Sequence, residues 1–213
     1  MIRTLSMLVR RPDITREHFH AHYEETHAPL ALPLMKGLVH YVRNHIVETL
    51  GGDEPFFDTL SEFAYESLDV LDDNIEMLYS ERGAELRADE LTFMDKPKNH
   101  FFSVQVSRTL PCQGQPMDGA VKVALLGTRD GGDRSAFREA YGESLAPVLA
   151  NATSWWHWES RAFGETPPHS DLATLAWFAP EAFDPGVVRA WDPPSSRSYR
   201  LRVDERATCR AEP

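Results

Sequence analysis

The stretch FHAHYEETHAPLA, residues 19–31, recurs later in the chain as FREAYGESLAPVL, residues 137–149. The two stretches are separated by an offset of 118 residues. A repeat on this scale is typical of a duplicated structural unit, so we predict two copies of one fold. In the first copy, the residues that are identical in the second are Phe19, Tyr23, Glu25, Ala28 and Pro29.

The spacing of the repeated residues predicts a helix with one buried stripe. Four histidines in and beside the same stretch are not repeated, so the fold does not require them and they serve either function or a solvated surface. The predicted stripe, which would seat the helix on a sheet, contains Phe19, Tyr23, Thr26 and Leu30. The four histidines are His18, His20, His22 and His27.

The order of apolar segments and turn signals is the same in both halves of the chain. Each half predicts a β-α-β-β-α-β order, with Thr15 and Ser67 as helix N-caps in the first half. The segment LPCQGQPMDG, residues 110–119, is rich in proline, glycine and polar residues and reads as a linker. We therefore predict one domain over residues 1–110 and a second over residues 111–213.

Composition limits the classes of function. The chain has 213 residues, of which 42% are hydrophobic and 26% charged, which is typical of a folded globular protein. A net charge of −11 argues against a nucleic-acid or anionic-membrane surface, since both need a concentrated basic patch. Neutral or cationic small molecules, or protein partners, fit this charge better.

Cysteine usage and the N-terminal segment predict a cytoplasmic location. Cys112 and Cys209 match neither a zinc-binding nor a redox spacing, so we expect free thiols in a reducing compartment. The apolar run at the N-terminus is too short for a signal peptide, and no run approaches the ~18 apolar residues of a membrane-spanning helix.

Three segments together resemble the EthD family: the first strand, FHAHYEETHAPLALPL and GLVHYVRNHI, within residues 1–107. The second half resembles a degenerate copy, mainly through FREAYGESLAPVLA. The resemblance implies an α+β fold of ferredoxin-like units, in which two four-stranded sheets pack face to face as a barrel, usually between two chains. Here two tandem βαββαβ units would pack sheet to sheet as a pseudo-dimeric α/β barrel.

The resemblance leaves the reaction open. The family includes proteins of ring-degradation clusters and fungal relatives regarded as polyketide dehydratases, and its wider fold group includes cofactor-free oxygenases, cyclases and isomerases. Fold alone does not choose among these activities.

His27 is the principal catalytic candidate. It lies beside Tyr23 at the edge of the predicted stripe, where an imidazole next to a cavity can titrate near neutral pH and transfer a proton. The family's HAP element falls on His27, Ala28 and Pro29 and so favours this position. The alternative is that His27 caps the last helical turn, where a cation is favoured.

The second strand supplies further candidates, because alternate residues point to opposite faces. We expect Tyr41, Arg43 and His45 to line the cavity, with Tyr41 as a neutral donor and Arg43 and His45 as stabilisers of negative charge. Asn44, on the other face, is a further substrate-binding candidate. The alternative is that Arg43 pairs with an acidic residue, and Arg161 at the offset of 118 favours such a structural role.

Two other groups have alternative explanations. Trp156 and Trp158 share a strand face, where they would form an apolar wall for a flat ligand or fill the interior. His18, His22 and Glu25 have the i, i+4, i+7 spacing of metal ligands, but a solvated helix face is the better explanation, and we expect no metal. The chain contains no GxGxxG, P-loop, GxSxG or HExxH motif, so nucleotide and serine chemistry have no support.

These observations favour a cofactor-independent enzyme that transfers protons on an aromatic or polyketide-like small molecule, as a dehydratase, lyase or isomerase. The catalytic residues would be His27, Tyr23 and His45. The alternatives are a cofactor-free oxygenase and a non-catalytic module for small-molecule binding or dimerisation, with a homodimer as the protein partner. A cavity of about 300 Å³ or more beside His27 would favour the enzyme.

Overall fold

The computed structural model describes residues 1–110, 119–162 and 167–209. Within these residues the chain forms a mixed α/β fold. The helices are α1 Arg16–His22, α2 Ala28–Ala31, α3 Leu68–Tyr79, α4 Ala84–Phe93, α5 Arg134–Ser144, α6 Ala146–Leu149 and α7 Pro185–Ala190. The strands are β1 Ile2–Leu8, β2 Leu38–Gly52, β3 Thr59–Tyr65, β4 His100–Leu110, β5 Val121–Thr128, β6 Ser154–Arg161, β7 Leu172–Phe178 and β8 Arg197–Cys209.

Hydrogen bonds order the strands as β1-β3-β2-β8-β5-β7-β6-β4, which is a closed barrel. The β1–β3, β2–β3, β5–β7, β5–β8 and β6–β7 pairs are antiparallel. The barrel that the EthD resemblance implies is therefore confirmed. The tandem arrangement of two βαββαβ units and the domain limits stay predictions. Most of the predicted linker, with Cys112, lies outside the described residues, as does the side chain of Cys209.

The described chain divides into two compact units. The first unit contains residues 1–45, 56–103 and 205–209, and the second contains residues 46–55 and the described parts of 104–204. No helix among the described residues has the length and apolar character needed to cross a bilayer.

In the first unit, strand register decides which side chains share a face. Ser61 of β3 lies opposite both Ser6 of β1 and Arg43 of β2, and Phe63 lies opposite Tyr41. Since successive residues alternate between faces, Tyr41, Arg43, Ser61 and Phe63 lie on one face of the sheet.

The helical segment of the first unit is not a regular α-helix. Thr15 caps α1 as predicted, by accepting from the His18 backbone N–H. A single π-helical turn, Tyr23–His27, then separates α1 from α2, and the Ala28 N–H donates to the Tyr23 carbonyl. Pro29 has no N–H to donate to the preceding turn, and a π turn accommodates that loss.

The π turn corrects the predicted buried stripe. Phe19 and Tyr23 are buried as expected, but Thr26 is exposed and Leu30 only half-buried. His27 and Ala31 are buried instead, because a π turn contains about one residue more than an α turn and rotates the following residues. The interpretation of His27 as a terminal cap is wrong, because the helical segment continues beyond it to Ala31.

In the second unit, a compact apolar core surrounds α5. Phe137 and Tyr141 of α5 are buried with Leu145, Val148 and Trp191. The Tyr141 hydroxyl donates to the Leu125 carbonyl at 2.9 Å and so attaches the helix to β5. The same spacing of phenylalanine and tyrosine therefore seats a helix in each unit.

A matched pair of glycine substitutions tests the packing of the second unit. Gly52 and Gly131 both have positive φ, 81° and 72°, so alanine at either position costs about 1–2 kcal/mol of strain. An added Cβ at Gly52 would also collide with the Ser198 carbonyl, whereas at Gly131 it would meet nothing within 4 Å. We expect Gly52→Ala to lower the free energy of unfolding by about 1–3 kcal/mol more than Gly131→Ala in urea titrations. Equal losses would contradict this packing.

Candidate functional site

A cavity of about 190 Å³ lies in the first unit, between the sheet and the helices. Tyr23, His27 and Ala31 of the helical segment line it on one side, and residues of α3 and α4 contribute apolar side chains. Most of the lining is apolar, which keeps the local dielectric low and strengthens each polar interaction. The polar residues of the lining are Ser6, Tyr23, His27, Tyr41, Tyr65, Asn74, Glu90 and Asn99.

His27 is held in one orientation by Asp89 of α4. The imidazole is 6% exposed, and its Nδ1 lies 2.8 Å from Asp89 Oδ2. Because a carboxylate only accepts hydrogen bonds, Nδ1 carries the proton and Nε2 has the lone pair. Burial lowers the pKa of His27 below its ordinary value, while the bond to Asp89 acts in the opposite direction. A neutral, oriented imidazole of this kind can accept a proton at Nε2.

Two tyrosines form a chain of hydrogen bonds beside His27. The Tyr41 hydroxyl donates to the Tyr23 hydroxyl at 3.0 Å, and the Tyr23 and Ser61 hydroxyls are also 3.0 Å apart. Tyr23 packs edge-on against His27, with ring centroids 5.2 Å apart. Burial raises the pKa of Tyr23 and raises that of Tyr41 well above the ordinary value. Both phenols therefore stay protonated and can act as neutral donors.

Arg43 and His45 form an ion cluster with Glu24. Arg43 donates to both carboxylate oxygens of Glu24, at 2.7 and 2.8 Å, and His45 Nε2 lies 2.7 Å from Oε1. His45 Nδ1 also bonds Thr59, and Arg43 also donates to Thr208. Among the described residues, the cavity lining includes neither Arg43 nor His45. The structure therefore places Arg43 with an acidic partner, as the alternative interpretation held.

The ion cluster still touches the cavity wall through an aromatic ring. The Arg43 guanidinium carbon lies 4.4 Å from the centroid of the Tyr41 ring, and Tyr41 lines the cavity. Burial acts to raise the pKa of Glu24, but hydrogen bonds from His45 and Arg43 prevail and lower it to about 2. Glu24 is thus a carboxylate at every physiological pH and holds both partners in place.

The remaining candidates lie elsewhere. Asn44 is fully buried on the opposite sheet face, where its amide donates to the Leu60 carbonyl and to Glu62. Trp156 and Trp158 are buried in the second unit with ring centroids 5.8 Å apart. The structure therefore brings together His27, Tyr23 and Tyr41 and does not add these three residues to the cavity.

The other histidines of the helical segment are not simply a solvated face. His22 Nε2 lies 2.7 Å from the second oxygen of Asp89, and the half-buried His20 packs on His45 with ring centroids 4.3 Å apart. Of the three metal-ligand candidates in this segment, His18 and Glu25 are exposed and His22 is half-buried. In the part of the chain that the structure describes, no three histidine, cysteine or carboxylate side chains are grouped as metal ligands would be.

Asp89 and Glu24 are site residues that the sequence did not reveal. Asp89 is separated from His27 by 62 positions, and no spacing rule connects them. Glu24 adjoins Tyr23 in the sequence, yet the regular helical wheel assigns it to the polar side. The signal that could have found Glu24 is Pro29, because a proline inside a helical pattern warns that the turn before it departs from α geometry.

Acidification tests the ion cluster. The pKa of Glu24 falls from an ordinary 4.5 to about 2 on folding, so its contribution to stability is present above pH 4.5 and is lost as the pH falls towards 2. We expect Glu24→Gln to lower the free energy of unfolding at pH 7, with the difference from the parent protein shrinking between pH 4.5 and 2. The neighbouring exposed residue supplies the control, Glu25→Gln, which should follow the parent protein. A Glu24→Gln difference independent of pH would refute the assigned charge.

Comparison with known proteins finds a family similarity in the first half of the chain. Residues 11–97 match the model of the EthD domain. No curated protein matches the chain. The matched segment contains both the helical segment with His27 and α4 with Asp89, so it includes the His27–Asp89 hydrogen bond.

Solved structures share the fold over nearly the whole chain. An anthrone oxidase-like protein is 14% identical to this chain, with a TM-score of 0.55. The match covers 97% of this chain and 92% of the neighbour's chain. Putative monooxygenases from Fusobacterium nucleatum and Lactobacillus acidophilus are 8% and 9% identical, with TM-scores of 0.56 and 0.52. Each of these two matches covers 98% of this chain. They cover 94% of the Fusobacterium nucleatum protein and 95% of the Lactobacillus acidophilus protein. Identities this low establish the fold alone. The family match, in contrast, covers residues 11–97, over which this chain is similar to the EthD domain.

Proposed function

We propose that the cavity beside His27 is the active site of an enzyme that transfers protons on a small, oxygen-bearing substrate without a cofactor. The observation that carries the proposal is the His27–Asp89 hydrogen bond at a mostly apolar cavity that two neutral phenols also line. An oriented base and a neutral donor are the two groups needed to remove a proton beside a carbonyl.

The proposed reaction begins with His27. Nε2 takes a proton from the carbon next to a substrate carbonyl, and the electron pair moves onto the carbonyl oxygen. Tyr23 is the suitable donor to that oxygen, because it accepts from Tyr41 and has its own proton to give. Asp89 stabilises the imidazolium that forms.

The second step returns the proton. In a dehydration, the imidazolium protonates a hydroxyl on the β carbon, which leaves as water while the carbon–carbon double bond forms and the carbonyl is restored. In an isomerisation, it protonates another carbon instead. Arg43, His45 and Glu24 act through Tyr41 in this scheme and are positioning residues.

Cavity size restricts the substrate. A cavity of about 150 Å³ is large enough to bind benzene, so 190 Å³ suits a substrate with a single ring. The volume falls short of the ~300 Å³ that would favour an enzyme over a binding module, and it excludes a fused polycyclic substrate from this conformation. We therefore favour single-ring substrates over large polyketides.

The repeat supports a tandem architecture. We propose that residues 1–110 and 111–213 are two copies of a ferredoxin-like unit, of which the first carries the chemistry. The position of His27 is occupied in the repeat by Leu145, which is also buried. Both positions therefore point inward, and only the first has a group that titrates.

A second candidate function is a cofactor-free oxygenase. Structural neighbours are called monooxygenases and an anthrone oxidase-like protein, and oxygenation of a carbanion would begin with the same proton removal by His27. The two candidates separate at the next step, since only the oxygenase consumes dioxygen. An oxygen electrode with the same substrates distinguishes them.

Proton exchange tests the base directly. We expect the protein to catalyse deuterium uptake from D₂O at the α carbon of cyclohexanone derivatives with a β-hydroxyl, measured by NMR. His27→Gln should reduce the rate roughly a hundredfold or more, because it removes the base and preserves the side-chain volume. The control is His18→Gln, an exposed histidine of the same helix, which should exchange at the parent rate. Exchange that is equal in His27→Gln and the parent protein would reject the assignment and favour a binding module.

Asp89→Asn tests the positioning role. Asp89 raises the pKa of His27 against the effect of burial, so losing its charge should lower that pKa further. We expect the acidic limb of the kcat/KM profile to move to lower pH and kcat to fall, because the amide can no longer fix the tautomer. An unchanged pH profile with normal folding would show that Asp89 does not act through His27.

A further inference from the structure

The two units share a framework of three side chains. In the first unit, Tyr23 and His45 have ring centroids 5.7 Å apart, and His45 Nδ1 lies 2.7 Å from the Thr59 hydroxyl. In the second unit, Tyr141 and His157 have ring centroids 5.5 Å apart, and His157 Nδ1 lies 2.8 Å from the Thr174 hydroxyl. Each histidine also lies directly opposite its threonine across two paired strands.

This framework gives a residue correspondence that differs from the constant offset. If His45 corresponds to His157, then Arg43 corresponds to Trp155. The constant offset of 118 would instead make Arg43 correspond to Arg161. Since contacts rather than counts define equivalent positions, Trp155 is the counterpart of Arg43. On the helix, the residue after the tyrosine is Glu24 in the first unit and Gly142 in the second.

The second unit therefore lacks both partners of this ion pair at the equivalent positions. Where Glu24 and Arg43 bond through two hydrogen bonds, the second unit has Gly142 and Trp155. A cavity of about 480 Å³ occupies this region, and its lining includes Gly142, Trp155 and His157. The space that a carboxylate and a guanidinium fill in one unit is open in the other.

The lining indicates the chemistry of a ligand. Trp155, with Leu145 and Leu149, supplies an apolar wall that suits a flat ring. Of the charged residues in the lining, Arg138 donates to the buried Glu159 at 2.9 Å, and Glu139 is exposed to solvent. His157 Nδ1 bonds the Thr174 hydroxyl and Nε2 is buried, so this imidazole selects no polar group on a ligand. The volume lies within the range of small-molecule sites, about 300–1,000 Å³.

We propose that this cavity is a second binding site for neutral, flat aromatic molecules of about two rings. The ring stacks on Trp155, with Leu145 and Leu149 beside it. The site has no counterpart of His27, because the equivalent residue is Leu145, so it binds without proton transfer. It is thus a separate site from the smaller cavity of the first unit.

Naphthol is a suitable probe, measured by isothermal titration calorimetry on the whole chain. Trp155→Ala should weaken binding about tenfold by removing the stacking wall. Gly142→Glu should weaken it at least as much, since it restores a carboxylate to the space without the arginine that would pair with it. Circular dichroism checks that the variants fold, and glutamate in place of glycine favours the helix.

Matched variants identify the cavity that is occupied. Ala31→Leu fills part of the first cavity with a larger side chain and should leave naphthol affinity unchanged. Trp155→Phe, which keeps an aromatic wall, should retain most of the affinity and serves as a further folded variant. The proposal is overturned if naphthol does not bind, or if Ala31→Leu weakens binding while Gly142→Glu does not.

Discussion

The lack of a backbone N–H at Pro29 is the constraint on which the candidate site depends. A regular α-helix through this position would leave a carbonyl of the preceding turn without its donor and would clash with the proline ring. The π turn Tyr23–His27 resolves the conflict by widening the helix, and the Ala28 N–H reaches back to the Tyr23 carbonyl. The same turn rotates His27 into the buried layer. The buried position of His27 is thus a consequence of backbone hydrogen bonding.

Three clusters of polar side chains lie between the sheet and the helices, and the members of each cluster are hydrogen-bonded to one another. Asp89 bonds His22 and His27, the tyrosine hydroxyls bond each other and Ser61, and Glu24 bonds its two partners. A buried network is stabilising and specific only when its members have partners, because the low dielectric penalises any group left alone. The charges of Glu24 and Arg43 lie outside the cavity lining, which contains the His27 imidazole, the phenols of Tyr23 and Tyr41 and the carboxyl group of Glu90.

The sequence predicts local structure well and long-range contacts poorly. Thr15 and Ser67 are N-caps as predicted, since capping depends on residues within one turn. Periodicity predicts the inward position of Phe19 and Tyr23 but fails from Thr26 onward, because the wheel assumes a constant turn.

Contacts between distant residues have no such local signal. The Asp89–His27 bond joins residues that only the packing of α4 on the helical segment brings together, so no spacing predicts it. Likewise, the strand pattern correctly places Tyr41 and Arg43 on one face, yet it does not show that Glu24 takes up Arg43. The EthD resemblance supplies the barrel, which periodicity alone leaves open.

The contrast between the two units shows why framework and chemistry can change independently. Tyr141, His157 and Thr174 keep the contacts of their counterparts although the ion pair beside them is gone. Charged partners in a partly buried site have to be lost together, because removing one leaves the other uncompensated at a cost of about 3–5 kcal/mol. Replacing Arg43 by a tryptophan and Glu24 by a glycine satisfies that condition and exchanges a filled, charged region for an open, aromatic one. With Leu145 at the position of His27, the second unit therefore differs from the first in its charged and titratable groups, while the histidine and threonine on its strands keep their contact.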